Sequence, residues 1–103
     1  MLEQEPADVD TRRRLGLALA QQGKLVDASR ELERAVHDSP RHVDALTTLG
    51  MMLIDLGRPG EAVVYLERAI ALDPASAAAQ EALTRARSAL RSHALDGEQV
   101  LDV

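Results

Sequence analysis

The chain has 103 residues, a net charge of −5 and no cysteine, and its apolar content of 46% includes no Phe, no Trp and only Tyr65 among the aromatics. Without cysteine a disulfide framework, a thiolate nucleophile and a zinc knuckle are all excluded, and the acidic balance argues against nucleic acid, whose binders gather Lys and Arg on one face. The length suits one small domain whose core must be built from Leu and Ala; both are strong helix formers, and no run of β-branched residues suggests a strand, so the chain is expected to be all-α.

In chain order, the first helix is expected over about residues 8–22. Asp8 and Asp10 suit the positive end of its dipole, Leu15, Gly16 and Leu19 form its inner stripe, and Gly23 takes the left-handed position that ends it. A second helix, about 24–37, offers Ala28, Leu32, Ala35 and Val36 at helical spacing, and Ser39-Pro40 stops it. The third, about 42–56, carries Leu46, Leu49, Gly50 and Leu53, with Gly57 after it. Pro59 then opens a fourth, running to about Leu72, with Ala62, Leu66, Ala69 and Ile70 inside and Asp73-Pro74 at its end. Turns of a few residues make successive helices antiparallel hairpins. A fifth helix, about 75–92, has the apolar stripe Ala79, Leu83, Ala86 and Leu90 with polar residues elsewhere, as a terminal cap should. From His93 the helical period fades, Gly97 is expected to break the chain, and residues 93–103 read as a flexible tail. Val100, Leu101 and Val103 alternate there with acidic residues; a frayed terminus is favoured over a segment that binds a neighbour's groove.

The first two helices are written out again. At an offset of 34, Val9-Asp10 falls on Val43-Asp44, Leu15-Gly16 on Leu49-Gly50, Leu19 on Leu53 and Gly23 on Gly57. Ala28, Leu32, Ala35 and Pro40 fall on Ala62, Leu66, Ala69 and Pro74, all without a gap. Such a period marks a stacked repeat array, each unit burying its apolar face on the next.

These residues at these spacings resemble the tetratricopeptide repeat family. The resemblance covers two full repeats and the helix after them, and implies a right-handed superhelical array of antiparallel helix hairpins: repeat 1 over 9–42, repeat 2 over 43–76 and a capping helix over 77–92. Two departures stand out. Arg12 occupies the first large position, which fits a first helix with no outer neighbour, and Leu32 and Leu66 stand where an aromatic is common. Leu2 and Pro6 lie 34 before Val36 and Pro40, so residues 1–8 read as a lead-in whose first six positions match the end of a preceding second helix.

In this family partners dock on the concave side lined by first helices. The matching positions are Asp10, Arg13, Leu17, Ala20 and Gln21, then Asp44, Thr47, Met51, Ile54 and Asp55, with Glu81, Arg85 and Ser88 on the cap. Leu17, Met51 and Ile54 lie off the core stripe, forming an apolar floor edged with charge. Some members hold a partner's C-terminal carboxylate with basic and Asn residues. Arg13 fits one such position, but Leu17 and Thr48 stand where Asn belongs, so that clamp is not carried over.

The remaining features have plainer accounts. Arg12-Arg13-Arg14 points three ways on a helix and is expected to be solvated surface. His37 and His42 flank a turn with no Cys or His pair at helical spacing, so no metal and no cofactor are expected. Tyr65 is either an exposed anchor or ordinary surface. No nucleophile–base pair or phosphate loop occurs, so no enzyme is expected. The N-terminal residues lack the basic start and apolar stretch of a signal peptide, and no apolar run approaches the roughly 20 residues that span a bilayer; the expectation is a soluble, cytoplasmic protein without membrane insertion. The function expected is a protein–protein interaction module binding a protein or peptide on its concave face. The alternative is a structural unit that forms a homo-oligomer or part of a longer array.

Overall fold

The computed structural model describes the backbone of residues 8–102 and the side chains of residues 8–92, so the expectation for residues 1–6 lies outside the described residues. Five helices make up the fold: α1 (Val9–Gln21), α2 (Leu25–Asp38), α3 (Val43–Asp55), α4 (Pro59–Leu72) and α5 (Ala77–Asp102), with no strand among the described residues. Each helix packs against the next through a turn of three or four residues, the arrangement of a helical hairpin array.

Local chemistry sets the helix ends. α1 and α3 close alike, with Gly23 at φ 83° and Gly57 at φ 78° in the left-handed region. The N–H of Lys24 donates to the Leu19 carbonyl at 2.9 Å and that of Gly23 to Ala20 at 2.9 Å; Arg58 and Gly57 repeat the pair on Leu53 and Ile54 at 2.8 and 3.0 Å. These doubled bonds satisfy carbonyls the helix leaves free, and the left-handed residue they need is cheapest as glycine. α4 starts on Pro59, where the missing N–H costs nothing. Just ahead of it Arg58 donates from Nε and Nη2 to the two Glu61 carboxylate oxygens, both at 2.7 Å, and this hydrogen bonding holds the Glu61 carboxyl below its ordinary range.

The first helices start by a shared device as well. The Asp8 carboxylate accepts from the Thr11 N–H at 3.3 Å, His42 Nδ1 accepts from the Ala45 N–H at 3.1 Å, and the Ser76 hydroxyl accepts from the Ala79 N–H at 3.2 Å. The three residues are spaced by the repeat, so one position in each unit caps a first helix with a different side chain.

The core is aliphatic. Leu32, Leu46, Leu49, Leu53 and Leu66 are fully buried among Ala28, Ala35, Ala45, Ala62, Ala69, Ala79 and Ala86. Within each hairpin a leucine enters a glycine notch: a Cβ on Gly16 would lie 2.1 Å from Leu32 Cδ2, and one on Gly50 would lie 2.5 Å from Leu66 Cγ. Beyond neighbour-to-neighbour packing, α1 touches α3 and α3 touches α5, whereas α2 and α4 do not meet.

The structure corrects the sequence reading at three places. Leu15 is 47% exposed, although its copy Leu49 is fully buried. α2 lies against α3, and no described element lies against the corresponding side of α1. Arg12 spreads there instead of a large apolar residue, 3.7 Å from both Glu31 and Asp38 of α2. Secondly, α5 does not stop near Ser92 but continues through Gly97 to Asp102. A lone glycine costs roughly 1 kcal/mol in a helix, and the helix formers Ala94, Leu95, Glu98, Gln99 and Leu101 surround this one. Thirdly, the buried stripe of α5 is Ala79, Ala82, Leu83 and Ala86, while Leu90 is 39% exposed. Leu90 comes alongside Gly60, one residue from the start of α4, so α5 outruns the helix it covers. Thr84 stands where the glycine notch would be and is exposed, and Arg87 replaces a core leucine and reaches Glu67 at 3.2 Å.

Gly50→Ala should cost about 1–3 kcal/mol by overpacking against Leu66, measured by urea unfolding. In the same assay Leu49→Ala should cost about 2–5 kcal/mol and Leu15→Ala much less; equal losses would contradict the open outer side of α1.

Candidate partner-binding surface

The face formed by α1, α3 and α5 collects most of the expected residues. Leu17 and Met51, copies of one another across the repeat, are each 37% exposed. Ile54 and Ala20 beside them are half-buried, and Gln21 is exposed at the end of α1.

Two polar contacts join neighbouring first helices across this face. Asp10 lies 3.8 Å from Arg13 Nε and 3.4 Å from Nε2 of His42, the residue that caps α3. Because His42 Nδ1 accepts the capping N–H, its proton sits on Nε2 and faces the Asp10 carboxylate. At the other side Arg85 of α5 reaches Asp55 of α3 at 3.9 Å, with both side chains more than half exposed. Asp44 and Glu81 are exposed and form no ion pair among the described residues.

Thr47 does not belong to the surface. It is 5% exposed, and its hydroxyl donates to the Val43 carbonyl at 2.9 Å; Thr48 is buried likewise and donates to Asp44 at 2.8 Å. Each hydroxyl is satisfied within its own helix, which lets both side chains be buried. The three arginines diverge: Arg12 lies over α2, Arg13 faces Asp10, and Arg14 is exposed. Arg14 holds the position filled by buried Thr48 and Ala82 in the later units, on the stripe of Asp10, Leu17 and Gln21. The sequence reading missed His42. Its signal was the repeat itself, which places it in register with Asp8 and Ser76.

A separate groove lies elsewhere. About 910 Å³ opens between α1 and α2 on the uncovered side of the first repeat, lined by Arg12, Leu15 and Leu19 and by Glu31, Arg34 and Asp38. Tyr65, half-buried on α4, has the Arg68 guanidinium 5.4 Å from its ring centre, a cation–π contact at the surface. No helix among the described residues is long and apolar enough to cross a membrane.

Exposed pairs contribute little to stability. Asp55→Asn should therefore change unfolding free energy by less than about 0.5 kcal/mol, read by thermal or urea unfolding. A larger loss would make the Asp55–Arg85 pair a part of the fold rather than of its surface.

Comparison with curated proteins gives no match. The sequence profile described as "Tetratricopeptide repeat" matches residues 13–77, more than half of the chain. That span runs from Arg13 in α1 through both glycine notches to the first residue of α5. Repeats of this family are generally protein–protein interaction modules and typically non-catalytic scaffolds. With the 34-residue echo, the notched hairpins and the profile match in agreement, the chain belongs to the tetratricopeptide repeat family.

Proposed function

We propose that the chain is an interaction module that takes a protein or peptide segment on its α1–α3–α5 side, acting as a scaffold rather than an enzyme. The observation that carries this is the pair Leu17 and Met51, equivalent residues of successive repeats that are both left more than a third exposed while the core leucines beside them are closed. Apolar side chains held in a row on rigid helices and edged by charge are what a binding surface needs. Met51 adds an adaptable contact. The contact pattern favours this side as the concave one: first helices touch one another, whereas second helices stand apart, so the array bends toward the first helices.

A second reading, self-association or incorporation in a longer array, is favoured by one specific feature: the exposed Leu15 above the groove on the outer side of α1 and α2. A helix laid there would bury the residue whose copy, Leu49, is fully covered. The two readings use different faces and separate by mutation.

Leu17→Asp with Met51→Asp should abolish capture of bound proteins in a pull-down while the helical circular dichroism is kept. Partners retained by that variant would place binding elsewhere. Light scattering tests the second reading: a dimer that resists dilution and is dissolved by Leu15→Arg, with Leu17 and Met51 still free, would favour it.

A further inference from the structure

We propose that the segment taken by this face is cationic, with Lys or Arg side chains beside its apolar anchor; this rests on the α1–α3–α5 side being the binding side. The charges of that side carry this. Its carboxylates are Asp10, Asp44, Asp55 and Glu81, and its guanidiniums are Arg13, Arg14 and Arg85. Arg13 and the Nε2 proton of His42 both face Asp10, and Arg85 faces Asp55. Asp44 and Glu81 have no ionic partner among the described residues and are exposed. Arg14, the exposed copy of Thr48 at i+4 from Asp10, adds a cation on α1 and leaves Asp44 on α3 and Glu81 on α5 without one.

Their placement matters as much as their number. Asp44, Met51 and Asp55 follow at i, i+7 and i+11 along α3, so the two carboxylates flank the exposed methionine on one stripe. The Arg85–Asp55 contact brings the matching stripe of α5 alongside, and Glu81 lies one turn before Arg85. An apolar side chain seated on Met51 would therefore have carboxylates before and after it along α3, with a further one across on α5. Lysine or arginine beside that anchor gains these contacts, and an acidic segment meets unpaired like charge. The Asp55–Arg85 pair is long and exposed, so a partner's cation can share Asp55 at little cost.

A random peptide display library panned against the full chain tests this, followed by solution affinities of the best peptides. Recovered peptides should be enriched in Lys and Arg next to Leu, Ile or Phe. Asp44→Asn with Glu81→Gln should weaken them about three- to tenfold, the size expected of two partly screened surface pairs, and added salt should weaken them in parallel. Acidic peptides, or affinities indifferent to both that double variant and salt, would overturn the cationic preference and leave the binding side standing. Failure to recover any peptide, or binding that survives Leu17→Asp with Met51→Asp, would overturn the binding side and the preference together.

Discussion

Everything in this molecule depends on how closely the two helices of each hairpin approach. Leu32 and Leu66 occupy space that a single Cβ on Gly16 or Gly50 would need. Dispersion and hydrophobic gains fall away over a fraction of an ångström, so this notch fixes the spacing within a hairpin. With the spacing fixed, alanines rather than large side chains suffice elsewhere: Ala28, Ala35, Ala62 and Ala69 are all fully buried. A core without Phe or Trp is thus consistent with a well-packed fold, because the backbones come to meet the small residues.

α5 and α1 differ in how they meet the sides that no described element covers. At the C-terminal end α5 changes its own pattern, with exposed Thr84 in place of the notch and Arg87 in place of a core leucine. Only the side toward the second repeat stays apolar. At the N-terminal end α1 keeps the leucine pattern but leaves Leu15 exposed and lays Arg12 across α2 between two carboxylates. In a stacked array each unit gains from its neighbours, so an end unit is held by fewer contacts unless it is adapted.

Electrostatics plays a secondary role in the fold and a leading one at the surface. The bidentate Arg58–Glu61 pair organises the start of α4 yet lies at the surface, with both side chains about half exposed. The caps Asp8, His42 and Ser76 share one task at one repeat position with three chemistries. What a cap needs is an acceptor at the right place, and a carboxylate, an imidazole nitrogen or a hydroxyl supplies it. The choice among them then affects the neighbourhood: only at His42 does the cap carry a second polar atom that faces another helix, through Asp10.

The sequence by itself determined the helices, their order, the stops of the first four and the repeat, because these follow from short-range chemistry: helical spacing of Leu and Ala, glycine at the left-handed ends, proline at the starts and stops. Leu17 and Met51 were legible too, since a repeat position off the core stripe is visible as such. Tertiary structure decided which of the repeated positions face water. Thr47 shares its turn of α3 with Asp44 and Met51 but is closed by the packing around it, and Leu15 matches Leu49 in sequence but lacks its cover. Leu90 sits at helical spacing from Ala86, yet it lies where α4 begins and so escapes burial. Burial depends on what lies across from a residue, and a neighbour in space leaves no mark in the spacing of a residue's own helix.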